Sequence, residues 1–155
     1  MTASLRLRDA VPADAYALWL WANDSAARAA AHDRPPIPWS HHMVWLAAQL
    51  GSPAAHVWIA ELDGGQPVGT IRFDTEDAWL LARLSYTVAL ESRGRRLGYD
   101  IVTGGLERLR GLHPRVRVWA DVRPDNDRSA RIFTGLGWQR EELGPELLRF
   151  WWGES

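Results

Sequence analysis

The chain has no cysteine and no lysine, and its 155 residues sum to a formal net charge of only −1. Without cysteine there is no disulfide framework, no thiolate metal site and no thiol nucleophile to carry an acyl group. The near-zero charge excludes the strongly basic surface of a general nucleic-acid binder, since acidic residues balance the arginines around 93–96 and 108–117. The segment from Met1 to Arg8 has no long apolar run, and no stretch nears the roughly 20 apolar residues that span a bilayer. No membrane partner is expected, and the cytoplasm is the default location. His41 and His42 are adjacent and cannot both face one ion, while His32, His56 and His113 are scattered, so no metal site is expected.

What is present is one domain's length of chain, with 46% hydrophobic and 24% charged residues, which is the balance of a globular protein with a sizeable core. All 18 basic residues are arginine, a planar donor suited to bidentate contacts with phosphate. Ten tryptophans are unusual for this length, because each ring must be covered and its N–H usually finds a partner. Trp19, Trp21, Trp39 and Trp45 gather in the N-terminal third, where some of them could wall a pocket.

Hydrophobic periodicity predicts a strand at Leu5–Arg8, then a helical stretch opened by Asp9 and Pro12 that carries Tyr16, Leu18, Trp19 and Leu20. Asp24 can cap a further helical segment through Ala31, which Arg34-Pro35-Pro36-Ile37-Pro38 breaks. Ser40 is the expected N-cap of a helix from His41 to about Leu50. Strands follow at His56–Leu62 and Val68–Asp74 around the turn Asp63-Gly64-Gly65, and a long strand runs over Leu80–Leu90. A helix over Leu97–Gly111, a strand over Val116–Asp121 and a helix over Asn126–Leu136 lead to two short strands near Trp138–Arg140 and Glu146–Trp151. The expected fold is α+β, one domain over 1–155.

Two segments carry chemistry. After the long strand comes Arg93-Gly94-Arg95-Arg96-Leu97-Gly98, an arginine- and glycine-rich turn that opens a helix. Backbone N–H groups at such a turn, with the partial positive charge of the helix N-terminus, suit a pyrophosphate. After the next strand comes Asn126-Asp127-Arg128-Ser129, then Ile132, Phe133, Leu136, Gly137 and Trp138. Asn126 can cap that helix and Gly137 can end it.

Together the two segments resemble the acetyl-CoA-binding half of the GNAT superfamily of N-acetyltransferases, over roughly Val68–Trp138. The first resembles its arginine/glutamine-x-x-glycine-x-glycine loop, the second its asparagine-x-x-serine/alanine helix ending glycine-aromatic. The resemblance implies a GNAT-like mixed, mostly antiparallel sheet of about seven strands flanked by helices, with acetyl-CoA as co-substrate. It also implies that the backbone of Val88 and Leu90 holds the pantetheine arm, residues 93–98 hold the pyrophosphate, Asn126 and Ser129 contact the coenzyme, and Phe133 lies near the thioester.

Two positions depart from the pattern. Arg96 stands for the first glycine of the loop, which limits backbone approach but adds a guanidinium. Phe133 stands where many relatives carry a proton-donating tyrosine, which leaves Tyr86 or Tyr99 to supply the proton. Relatives often carry a glutamate base where Arg83 stands, so Asp74 and, after it, His42 become the candidates to accept the amine's proton.

The N-terminal third, Trp21-x-Asn23-Asp24-x-x-x-Arg28 followed by Ile37-x-Trp39-x-x-His42-x-x-Trp45, resembles a sub-group that acetylates nucleotide-linked amino sugars, as in pseudaminic acid synthesis. That implies acceptor contacts from Trp21, Asn23, Arg28 and His42, with aromatic faces stacking on rings. Packing of Trp39 and Trp45 between helices, and pairing of Arg28 with Asp24 across a helical turn, is the plainer reading of the same residues. The expected activity is acetyl transfer to a primary amine of a small molecule. The alternatives are a protein or peptide acetyltransferase of the same fold and a non-catalytic acyl-CoA-binding module. The apolar tail Leu147–Trp152 is available to seal the sheet or to make a homodimer contact.

Overall fold

The computed structural model describes residues 4–30 and 35–153. Strand β1 (Arg6–Asp9) leads through a 3-10 turn at Pro12–Asp14 into helices α1 (Ala15–Asn23), α2 (Ser25–Ala30) and α3 (Trp39–Leu50). Then come β2 (Ala55–Leu62), β3 (Gln66–Thr75), β4 (Leu81–Val88), α4 (Leu97–Leu112), β5 (Arg117–Val122), α5 (Asp127–Gly135), β6 (Gln139–Glu142) and β7 (Leu148–Trp152). The expected end of the second helical segment at Ala31 and the start of its breaker at Arg34 lie outside the described residues.

The seven strands form one sheet in the order β1-β2-β3-β4-β5-β7-β6. Every pairing is antiparallel except β4 with β5, which α4 connects as a crossover. Alternation along the central strands assigns the two faces. Trp58, Ile71, Phe73 and Leu84 join Ile101, Val102 and Leu109 of α4, Phe133 of α5 and Phe150 of β7 in the larger core. Val57 and Ile59 face the other way, where Leu18, Trp21 and Leu46 from α1 and α3 form the second core with the fully buried Ala89. Ile59, Ile71, Phe73, Ile101 and Phe150 are 0% exposed, each worth about 1.5–3 kcal/mol of burial.

Most element boundaries differ from the sequence expectation by one or two residues. Helix α3 starts at Trp39 with Pro38 as its cap rather than at His41 with Ser40. The ring of Trp39 packs edge-on against Trp19 at 5.3 Å, which draws that residue into the helix. Strand β4 ends at Val88 instead of Leu90, because the Ala89 N–H turns to the Val68 carbonyl (2.8 Å) and Leu90–Ser92 forms a 3-10 turn. Strand β6 runs to Glu142, two residues beyond the expected Arg140. Helix α5 behaves as expected: the Asn126 side chain accepts from the Ser129 N–H at its start, and Gly137 supplies the left-handed residue (φ 80°) just past its end.

Candidate active site

Strands β4 and β5 pair only at Leu81–Arg83 against Arg117–Trp119. Beyond that point each keeps its outer partner: β4 stays with β3 as far as Val88, and β5 stays with β7 as far as Val122. The two inner edges therefore separate, leaving β4 from Leu84 to Val88 unpaired on that side. A cleft of about 1990 Å³ fills the gap and continues beneath α1–α3. Backbone groups on a splayed edge are unsatisfied and ready to bind an extended, amide-bearing chain.

One end of the cleft is the turn into α4. Gly94 (φ 84°) and Arg96 (φ 60°) both take left-handed conformations, which bend the chain so that Leu97, Gly98 and Tyr99 open the helix. Their N–H groups have no acceptor within the helix, and the macrodipole adds positive potential there. Gly98 fits because a side chain would press on Ile132 Cδ1 (3.1 Å) and Tyr86 Cε2 (3.4 Å), so its absence lets α4 seat against α5 and β4.

The three arginines of this turn divide. Arg96 lines the cleft, while Arg95 is exposed and outside the lining. Arg93 lines it too, but its guanidinium is already engaged: it bonds Asp24 Oδ2 at 2.7 Å and donates to the Val88 carbonyl at 3.2 Å. It braces the turn against β4 and the α1–α2 junction. Val88 thus has its carbonyl occupied, and Leu90 lines the cleft from the 3-10 turn rather than from the strand.

On the opposite wall, Ser129 stands one turn into α5 with its Oγ 2.7 Å from the Tyr86 hydroxyl. Burial raises the Tyr86 pKa above the usual phenol value, with the Ser129 bond and the Arg128 charge opposing, so Tyr86 keeps its proton at neutral pH. Phe133, 1% exposed, meets Tyr86 edge-on at 6.3 Å and packs against Trp138 and Phe150. Asn126, Ser129, Phe133 and Tyr86 all line the cleft.

The far end of the cleft lies against α1–α3 and includes Trp21, Arg28, His42, Trp45, Arg72 and Arg83. His42 is 3% exposed and sits between the rings of Trp39 and Trp45. Its Nε2 lies 2.9 Å from the Ala15 carbonyl, which can only accept, so Nε2 carries the hydrogen and Nδ1 the lone pair. Burial lowers its pKa below the usual 6.5, partly offset by the Ala15 bond. The other candidate base, Asp74, stands on the same face of β3 as Thr70 and Arg72 but is not part of the lining; its Oδ2 is 3.5 Å from Arg72 Nε. Asn23 is not part of the lining either: its amide bonds both the Ile37 carbonyl (3.0 Å) and the Ile37 N–H (2.6 Å), clamping α1 to the segment before α3. Arg28 lines the cleft and donates through Nε to the Ala22 carbonyl at 2.6 Å. Among the described residues, no three of His, Asp or Glu come together in a metal-binding arrangement.

The sequence matches the acetyltransferase (GNAT) domain family over residues 4–139. The chain belongs to the GNAT family. No curated protein matches it closely enough to count as a relative. Solved GNAT-like structures share the fold at low identity. The spermidine N-acetyltransferase of Vibrio cholerae, in complex with CoA and spermine, is 12% identical with a TM-score of 0.86, over 96% of this chain and 94% of that one. The ribosomal-protein-alanine N-acetyltransferase of Brucella melitensis is 21% identical with a TM-score of 0.79, over 96% and 99%. A domain from Methanocaldococcus jannaschii is 16% identical with a TM-score of 0.82, over 99% and 100%. As a GNAT member the protein is an acetyl-CoA-dependent N-acetyltransferase.

Two residues of this GNAT cleft were not singled out from sequence as acceptor-side groups: Arg72 and Arg83. The signal was there for Arg72, a cation in the otherwise apolar run Val68-Gly69-Thr70-Ile71-Arg72-Phe73 of a central strand. Its side chain is only 25% exposed, and its guanidinium lies 5.0 Å from the centre of the Trp45 ring.

Proposed function

We propose that the protein moves the acetyl group of acetyl-CoA to a primary amine on a small molecule, directly and within a ternary complex. The observation that carries this is the split between β4 and β5, open from Leu84 to Val88 and ending at the uncapped N-terminus of α4. The donor's diphosphate would lie on the N–H groups of Leu97, Gly98 and Tyr99 beside Arg96, and its pantetheine along the β4 edge, past Asn126 and Ser129. The acetyl group then faces α1–α3, where Trp21 and Trp45 wall the cleft. Such walls suit a small acceptor better than an open peptide groove.

In the reaction the neutral amine nitrogen attacks the thioester carbonyl carbon, the new C–N bond forms, and the C–S bond breaks. A β4 backbone N–H near Val88 stabilises the oxyanion. His42 Nδ1, held as the lone-pair nitrogen by the Ala15 bond, takes the proton the amine sheds, through a water. The departing CoA thiolate takes a proton from the Tyr86 hydroxyl, which Ser129 orients. This gives Tyr86 the work that a tyrosine at the position of Phe133 does in relatives. No cysteine is present to form an acyl-enzyme.

The narrower reading, a nucleotide-linked amino sugar as acceptor, draws support from Arg28 and the aromatic walls. Three of the eight residues in the pattern that suggested it are engaged elsewhere or lie off the cleft: Asn23 clamps Ile37, Asp24 holds Arg93, and Trp39 is not part of the lining. The experiment is acetyl-CoA consumption with amino-sugar nucleotides, small amines and peptides. Turnover of small amines supports the proposal. Turnover of peptides alone favours the peptide reading, and acetyl-CoA binding without any transfer leaves the non-catalytic module.

A further inference from the structure

From the charges at the acceptor end of the cleft we infer that the amine acetylated here also carries an oxyanion, a carboxylate or a phosphate, which Arg72 and Arg83 receive. This rests on the proposed acetyl transfer and adds the class of acceptor.

Arg72 and Arg83 project from the same face of the sheet: Arg83 lies opposite Asp74 on β3, and Arg72 is two residues from Asp74. Both line the cleft. Asp74 pairs with Arg72, through Nε at 3.5 Å, and is itself 37% exposed. Among the described residues Arg83 meets no carboxylate within ion-pair distance, only the Trp119 ring at 5.8 Å. Burial is the largest cause of the lowered Arg72 pKa; Asp74 opposes it, and the charge of Arg83, a smaller cause than Asp74, lowers it further. Two guanidiniums on one face of the sheet share the wall of the cleft, and with Asp74 paired to Arg72 alone, Arg83 is left without a carboxylate partner among the described residues. A bound oxyanion satisfies both, because planar guanidinium forks match carboxylate and phosphate oxygens.

The rest of the acceptor end agrees. Among the described residues from Leu18 through Trp21, Arg28, His42, Trp45 and Val57 to Arg83, no Asp or Glu lines it. The lining carboxylates, Asp121, Asp125 and Asp127, belong to β5 and the segment running into α5, and Asp121 is held by Arg149 at 2.7 and 3.0 Å. A polyamine would bring its ammonium groups to a wall that carries Arg28, Arg72 and Arg83.

The test is kcat/KM for acetylation of matched amines: aminobutyrate against butylamine, aminoethylphosphonate against ethylamine, glucosamine phosphate against glucosamine, with spermidine beside them. The anionic member of at least one pair should lead by about tenfold or more, the worth of a charge-assisted hydrogen bond. Arg83→Gln should erase that lead through KM, and Arg83→Lys, which keeps the charge, should restore part of it. A lead confined to the carboxylate or to the phosphate pairs supports the inference and names the oxyanion. Equal rates within every pair, a preference for spermidine, or a lead that survives Arg83→Gln overturns it. If no amine at all is acetylated, the transfer reading falls, and calorimetry with acetate and methyl phosphate decides this one separately. Binding that Arg83→Gln abolishes sustains the anion site, and no binding removes it.

Discussion

Replacing Arg93 with methionine should cost the protein stability before it costs coenzyme affinity. The sequence invites the opposite view, since Arg93 opens the loop proposed to hold the diphosphate. In the structure its guanidinium is bound to Asp24 at 2.7 Å and to the Val88 carbonyl at 3.2 Å, with side-chain exposures of 18% for Arg93 and 14% for Asp24. Methionine keeps the apolar stem and deletes both bonds. A charge-assisted bond of this burial is worth about 1.5–3 kcal/mol and a bond to a carbonyl about 1 kcal/mol, so a total loss of about 2–3 kcal/mol is expected after partial screening. At this chain length each kcal/mol moves the midpoint by about 2–4 °C, so thermal unfolding should shift down by roughly 4–12 °C. Asp24→Asn, alone and with Arg93→Met, should show a coupling of about 1 kcal/mol. The assay is thermal and urea unfolding of the four proteins, with calorimetric titration of acetyl-CoA alongside. An unchanged midpoint together with acetyl-CoA affinity weakened about tenfold or more would mean that the guanidinium holds phosphate, and the bracing argument fails.

Tyr86→Phe should lower kcat by about a hundredfold or more while costing only about 1 kcal/mol in urea unfolding, because it deletes the proposed proton donor and one hydrogen bond; unchanged kcat removes Tyr86 from the chemistry. Arg96 holds a left-handed conformation (φ 60°) that disfavours any side chain with a Cβ. Arg96→Gly should therefore raise stability by a few tenths to about 1 kcal/mol after glycine's entropy cost, read in thermal unfolding, and a drop in midpoint would contradict the strain. His42, His56 and His113 all have pKa values lowered below 6.5, with burial the largest cause in each. The unfolded chain then binds more protons than the native one as pH falls below 6.5, so stability is held above that pH and lost beneath it. Urea midpoints between about pH 5 and 7.5 should show this decline, and His56→Gln with His113→Gln should flatten it; midpoints independent of pH would refute the reasoning.

Much of this was written locally. Asn126 capping α5, Gly137 ending it and the alternation of β2–β4 are short-range matters of capping, left-handed residues and period-two burial, and they stand in the structure where the residues predict them. The turn 93–98 and the helix after Asn126 identified the GNAT family for the same reason: each is a continuous segment whose backbone does the work. The limits of such reading appear at α3 and β4. Pro38 and the Trp39–Trp19 contact, not Ser40, set the start of α3, and the Ala89–Val68 bond, not the run of apolar residues, ends β4.

The sequence by itself determined the order of elements, the family and the place of the arginine- and glycine-rich turn before α4, because those depend on neighbours within a few residues. Tertiary structure alone decided what the side chains do. It engages Arg93 with Asp24 and the Val88 carbonyl, Asn23 with Ile37, and Asp74 with Arg72. It also brought Arg72 and Arg83, distant in the chain, onto one wall of the cleft. Each outcome turns on which atoms the sheet and helices bring within about 3 Å of one another, and residues 69 positions apart, such as Asp24 and Arg93, meet only when the whole sheet has formed.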